Sequence, residues 1–146
     1  MKKYLFAFIV GLLALTACEK EDDQVTAEAV TLGVSDATAE QFTLSAKFTI
    51  KGEKETPCNY GIFVGDKPGL EHGSAIITEN VYVSKPGSYD YSYVFNNQMD
   101  LLVPMYKFKP GTTVYYRAGI EVITAEGSTW YYGDEKKFLI PQQIEK

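Results

Sequence analysis

The sequence predicts an all-β antiparallel sandwich that follows an export signal. Three observations carry that prediction. Short runs rich in β-branched and aromatic residues recur between Gly, Pro, Asp and Asn. Within those runs apolar and polar residues alternate with the period of two of a half-buried strand. No amphipathic helical pattern persists along the chain.

The N-terminus comes first. Met1, Lys2 and Lys3 precede an almost unbroken apolar run from Tyr4 to Ala17 that ends in the small residues Thr16 and Ala17. A basic start and a run too short to cross roughly 30 Å of hydrocarbon describe a signal peptide over 1–17. "LTAC" also resembles the lipobox of bacterial lipoproteins, in which a small residue precedes a cysteine that is acylated on sulfur and becomes the new N-terminus. Cys18 is therefore the expected lipid attachment site, and a signal cut elsewhere, leaving Cys18 a plain thiol, is the alternative. Acyl chains contribute on the order of 0.8 kcal/mol per buried methylene, so two or three of them give a durable anchor to a membrane. Residues 18–27, "CEKEDDQVTA", are acidic and aperiodic after the cysteine and read as a solvated linker.

A sandwich over 28–141 follows, with 142–146 as a tail. "AVTLGVSDAT" and "EQFTLSAKFTI" form a first pair of strands, and Phe42, Leu44, Ala46 and Phe48 alternate with Thr43, Ser45, Lys47 and Thr49. "CNYGIFVG" is a third strand, and "DKPGLEHGS" is a loop broken by Pro68, Gly69 and Gly73. "AIITENVYV" is a fourth run. In the fifth, "YDYSYVFN", Tyr89, Tyr91, Tyr93 and Phe95 share one face. The segment 96–106, which overlaps "QMDLLVPMYKF", is compatible with a short helical turn. "TVYYRAGIEVI" is the longest strand, and a hairpin through "TAEGST" returns as "WYYGDEKKFLI". About seven strands in about one hundred residues have the size and rhythm of an immunoglobulin-like sandwich.

Composition narrows the partners. The chain carries 14 basic and 19 acidic residues; two of the basic ones, Lys2 and Lys3, leave with the signal, so the mature part holds 12 against 19, a net −7. Nucleic acid is not an expected partner, because phosphate binding needs a concentrated basic face. If Cys18 is acylated, Cys58 has no internal disulfide partner, and its place in "PCNYGIFV" makes it a buried small hydrophobe rather than a nucleophile. No cofactor is expected, and Cys58 with the single histidine, His72, makes no Cys/His metal site.

"FKPGTTVYYRAGIEVITAEGSTWYYGDEKKF" resembles the last two strands of the fibronectin type III-like domains of many Gram-negative surface lipoproteins. Those domains show a Pro-Gly-Thr turn, an aromatic run with Arg-Ala, and Tyr-Gly before a final Phe. "NYGIFV", Asn59 to Val64, is similar to their third strand. The resemblance implies a fibronectin type III-like sandwich on the outer membrane, and the acids after Cys18 resemble tags that send lipoproteins to the cell exterior. At the family's corner-tyrosine position stands Val114, with Tyr115 one residue later, so either the corner bond is missing or the turn has shifted. With Val114 inward, Tyr116, Ala118, Ile120 and Val122 fall in the core and Tyr115, Arg117 and Glu121 point outward.

Catalytic groups are sparse. His72 in "LEHGS" reads as an exposed loop histidine rather than a general base, and no GxSxG, HExxH, P-loop or EF-hand pattern is present. Asp134 and Glu135 are expected as neighbours on a strand, pointing to opposite faces and so unable to act as a pair. Arg117 is expected to pair with Glu121 on the outward face. The remaining signal is aromatic. The fifth-strand tyrosines read as core, whereas Trp130, with Tyr131, at the mouth of the last hairpin either caps the core or meets a ligand. Trp130, Tyr131, Tyr115 and His72 are the candidate binding residues.

The expectation is a non-enzymatic, lipid-anchored surface module that binds an envelope protein or a glycan. The alternative is an assembly subunit that uses an exposed strand edge. An enzyme acting on surface glycan or peptide comes third.

Overall fold

The structure is a computed structural model that describes residues 24–96 and 109–142. The expected signal peptide, Cys18, the acidic residues up to Asp23, the helical turn expected within 96–106 and most of the expected C-terminal tail lie outside the described residues. Among the described residues there is no helix. Nine strands are present: β1 (Thr26–Ser35), β2 (Gln41–Lys51), β3 (Cys58–Gly65), β4 (Ile76–Ile77), β5 (Val81–Val83), β6 (Gly87–Asn96), β7 (Thr113–Thr124), β8 (Gly127–Tyr132) and β9 (Lys136–Leu139).

All pairings are antiparallel. β1-β2-β6 form the smaller sheet. In the larger sheet β3 lies beside β7, β4 and β5 share the far side of β3, and β8 and β9 share the far side of β7. Two pairs of short strands each continue one line, so nine strands fill the seven lines that the sequence suggests.

The alternation read from the sequence builds the core. Phe42, Leu44, Ala46, Phe48 and Ile50 of β2 face Cys58, Tyr60, Ile62 and Val64 of β3 and Val114, Tyr116, Ala118, Ile120 and Val122 of β7, all buried. The expected register of β7 is the observed one. Phe48 stacks on Tyr60 at 4.5 Å, and Phe42 meets Phe138 edge-on at 4.8 Å. Tyr89, Tyr91 and Phe95 pack against this core, as the alternating stripe of β6 suggests. Tyr116 reaches across the sandwich, its hydroxyl donating to Leu32 O at 3.4 Å. Tyr115 points to the opposite face.

Each outer line of the larger sheet is broken once, and a threonine repairs each break. The run "AIITENVYV" divides because Thr78 turns into the sheet. Its N–H donates to Ile62 O at 2.8 Å, and its hydroxyl accepts from Ile62 N–H at 2.9 Å. Tyr91 donates its hydroxyl proton to Glu79 O at 3.0 Å, so the 2.9 Å bond between Tyr91 and Thr78 has Thr78 as donor. Together with a bond from the Tyr89 hydroxyl to Lys85 O, this fastens β6 to the edge of the other sheet.

The second break separates β8 from β9. Gly133 N–H still reaches Ala118 O at 2.9 Å, but Ala118 N–H finds no strand partner and donates at 3.0 Å to the Thr31 hydroxyl of the opposite sheet. Gly133 permits this approach. A Cβ there would stand 2.7 Å from Thr31 Oγ1 and 2.8 Å from its backbone nitrogen. Thr31 is 4% exposed, and the bond accounts for a buried hydroxyl in an apolar core.

Two predictions follow from these contacts. Thr31→Val leaves the Ala118 N–H buried without an acceptor and lowers stability by about 1–3 kcal/mol in chemical denaturation, whereas Thr31→Ser retains most of it. The second concerns alkaline pH. Burial holds Tyr60, Tyr91 and Tyr116 above the ordinary tyrosine value of 10.0 and the Cys58 thiol above 9.0. The unfolded chain then gives up these protons first, so stability is insensitive to them below the ordinary values and falls as pH rises through them. The denaturation midpoint is expected to drop between about pH 8 and about pH 10.5; a midpoint that rises over that range contradicts the assignment.

Candidate functional site

The outer face of the larger sheet carries a second, smaller cluster. It begins with β3, which is apolar at every position from Gly61 to Gly65 and therefore suited to burial on both faces. Phe63 points away from the core, yet it is 1% exposed. Its ring lies across Gly119 of β7, where a Cβ would stand only 2.5 Å from Phe63 Cε2. The segment 66–75 folds back over this face and brings Leu70 into a buried position.

Polar contacts tie that segment down. The Glu135 carboxylate accepts from Gly69 N–H, at 3.1 Å and 3.0 Å to its two oxygens, and from Leu70 N–H at 2.9 Å. Arg117 Nε donates to Gly133 O at 2.7 Å, and its Nη1 reaches Leu70 O at 3.5 Å. His72 N–H donates to the Tyr132 hydroxyl at 3.0 Å. Charge-assisted bonds to backbone amides are among the stronger ones a loop can have.

The rings above Phe63 form a stacked group. Trp130 meets Phe63 edge-on at 5.4 Å, stacks with His72 at 4.9 Å and 18°, and stacks with Tyr132 at 6.1 Å and 14°. The Arg117 guanidinium carbon sits 4.6 Å from the centre of the Tyr132 ring, within the range of a cation–π contact. Trp130 and Tyr132 are half-buried and His72 is exposed.

Several sequence expectations are corrected by this arrangement. Trp130 is not at the mouth of a loop. The hairpin turn consists only of Ala125 and Glu126, which leaves Trp130 well inside β8, opposite Glu121 on the sheet's outer face. Arg117 and Glu121 do share a face, but four residues of strand separate them by roughly 13 Å. They form no pair; Glu121 instead accepts from Asn59 Nδ2 at 3.4 Å. Asp134 and Glu135 lie in the break between β8 and β9 rather than on a strand, and Glu135 serves the loop.

Of the four candidate residues, the fold brings together Trp130 and His72. Tyr131 is opposite Ile120 and packs against the core on the inner face. Tyr115 shares the outer face but lies farther along β7, opposite Gly65 and Lys137. Phe63, Leu70 and Tyr132 were not singled out by sequence reasoning, and Glu135 was weighed only as half of a catalytic pair with Asp134. The unbroken apolar run in β3 and the two-residue spacing from Trp130 to Tyr132 are the signals that point to the first and third. Cys58 faces the core, 0% exposed, with its thiol directed at Thr56 O at 3.3 Å. Burial raises it, the opposite of what a nucleophile needs.

No protein-family model matches the chain, and no curated protein matches it. Solved structures do. The solution structure of the sensor domain of the anti-sigma factor RsgI4 from Pseudobacteroides cellulosolvens aligns with a TM-score of 0.54 at 15% identity, covering 80% of this chain and 76% of that one. A second structure of that sensor domain aligns at 0.52 and 17% identity, covering 83% and 95%. A third gives 0.50 and 18%, covering 80% and 96%. At these identities the likeness establishes a shared all-β fold.

If Glu135 is what holds the loop on the sheet, Glu135→Ala frees the amides of Gly69 and Leu70. Hydrogen exchange at those two amides is expected to accelerate by at least about tenfold while amides of β2 and β7 keep their protection. Unchanged exchange at both loop amides contradicts the clamp.

Proposed function

We propose that this chain is a lipid-anchored, non-catalytic recognition module at the cell surface, held on the outer membrane through Cys18. Its ligand is an envelope protein or a glycan. The fold is of the fibronectin type III-like kind, a reading supported by three strand lines in one sheet and four in the other, with β2 to β3, β5 to β6 and β6 to β7 crossing between sheets.

One observation carries the functional reading. His72, Trp130, Tyr132 and Arg117 are ordered on the outer face, outside the core, by a loop whose backbone is bonded from three sides. Large aromatic and guanidinium side chains fixed before binding lose little entropy on contact, which makes such groups effective anchors. The RsgI4 domains that share the fold are named as sensor domains, which is in keeping with a receiving role. The non-catalytic part of the reading is supported by Glu135, whose oxygens are taken up by backbone amides, and by His72, whose ring lies against Trp130.

Trp130→Ala tests the reading. The variant is expected to keep a cooperative unfolding transition and to lose most of the binding that the wild-type protein shows on a glycan array or in a pull-down from envelope extracts. If the wild-type protein captures nothing in either assay, the recognition role is refuted.

A further inference from the structure

On the basis of that recognition role, we propose that the outer face of the larger sheet carries a binding strip for an uncharged polysaccharide, made by Tyr82, Asn59, Glu121 and Trp130. The pairing registers place these four residues in one row across four strands. Tyr82 of β5 is opposite Asn59 of β3, Asn59 is opposite Glu121 of β7, and Glu121 is opposite Trp130 of β8. Residues opposite one another in a ladder project to the same face. With strands roughly 4.8 Å apart, the two aromatic residues stand ~14 Å apart at their Cα atoms, room for a short stretch of sugar chain between them.

The two ends differ in a useful way. Trp130 is fixed by Phe63, His72 and Tyr132. Tyr82 is 64% exposed, and among the described residues its side chain has no ring or hydrogen-bond partner. An exposed aromatic on a short edge strand gains nothing for the fold by being there. Beside this row lie Gly61 and Gly119, opposite each other, and the side chains of Ile77 and Phe63 cover them, so an apolar ridge runs along one side of the polar centre.

That centre is chemically specific. Asn59 Nδ2 donates to Glu121 Oε2, which leaves the second amide proton, the amide oxygen and further carboxylate lone pairs for a ligand. Both residues are half-buried, and the ion pair of Lys51 with Glu28 lies elsewhere. An uncompensated carboxylate repels uronates, phosphates and nucleic acid. A protein partner that covered it tightly would have to supply a lysine or arginine of its own to offset that charge. Sugar hydroxyls donate to it while water remains at hand, and the C–H faces of pyranose rings pack on the flanking aromatics.

Affinity electrophoresis of the full mature chain provides the test. Native gels would contain soluble β-glucan, xylan, galactomannan or starch, with polygalacturonate as the charged contrast. Retardation by at least one neutral polysaccharide and none by polygalacturonate is expected. Tyr82→Ala, a surface change that leaves the fold alone, and Glu121→Gln should each weaken the retarding interaction by about tenfold. Retardation that Trp130→Ala abolishes but Tyr82→Ala and Glu121→Gln leave intact overturns the strip while the recognition role stands. So does a chain that ignores all four neutral polymers yet captures an envelope protein through Trp130. Failure of the wild-type chain in every assay removes both.

Discussion

The register between β3 and β7 is the constraint on which both faces of the larger sheet depend. With Ile62 opposite Ala118 and Phe63 opposite Arg117, one set of alternate residues closes the core and the other founds the outer cluster. A slip of one residue would send Val114, Tyr116 and Ile120 into water and bring Arg117 and Glu121 into the sandwich. The hydrophobic and charge terms therefore oppose the same error. Gly119 adds a steric lock, because only a residue without a Cβ fits beneath the Phe63 ring.

Besides the register shift between Thr31 and Val34 of β1, irregularity among the described strands lies in the two outer lines of the larger sheet. At each break a backbone amide loses its ladder partner, and a threonine hydroxyl takes its place: Thr78 for Ile62 and Thr31 for Ala118. The two repairs also tie the sheets together, since Thr31 belongs to the smaller sheet and Thr78 is bonded to Tyr91 of β6. Breaks of this kind shorten the edge strands and so reduce their power to recruit further strands. The same break that ends β8 supplies Glu135 to the loop over Phe63, so an edge irregularity also generates the outer cluster.

Much of the core was legible from period-two alternation, because β2, β6 and β7 each turn one alternate set of residues toward the core and the other, more polar set away from it. β3 was legible as a strand but not as one covered on both faces; a short apolar run carries no periodicity that says where its second face goes. Trp130 was read as a loop residue because the sequence shows a turn near "EGST" but not that the turn is only two residues long. The expected Arg117–Glu121 pair failed on distance along the strand rather than on facing. Glu135 was the hardest to read. Its partners are main-chain amides of a loop that the sequence marks only as irregular, and no side-chain pattern announces such a contact. The row from Tyr82 to Trp130 depends on three separate registers, none of which a single sequence displays.

The clamp between Glu135 and the loop at Gly69 joins positions 66 residues apart in the chain. Closing a connection of that length costs entropy that local structure does not repay, so it forms with the global fold and not before it. The outer cluster therefore has a built-in dependence on synthesis of the C-terminal hairpin. A chain that stops short of β8, or is cut between β7 and β9, loses Trp130 or Glu135 and leaves the loop unmoored, so a damaged copy would not assemble the outer cluster.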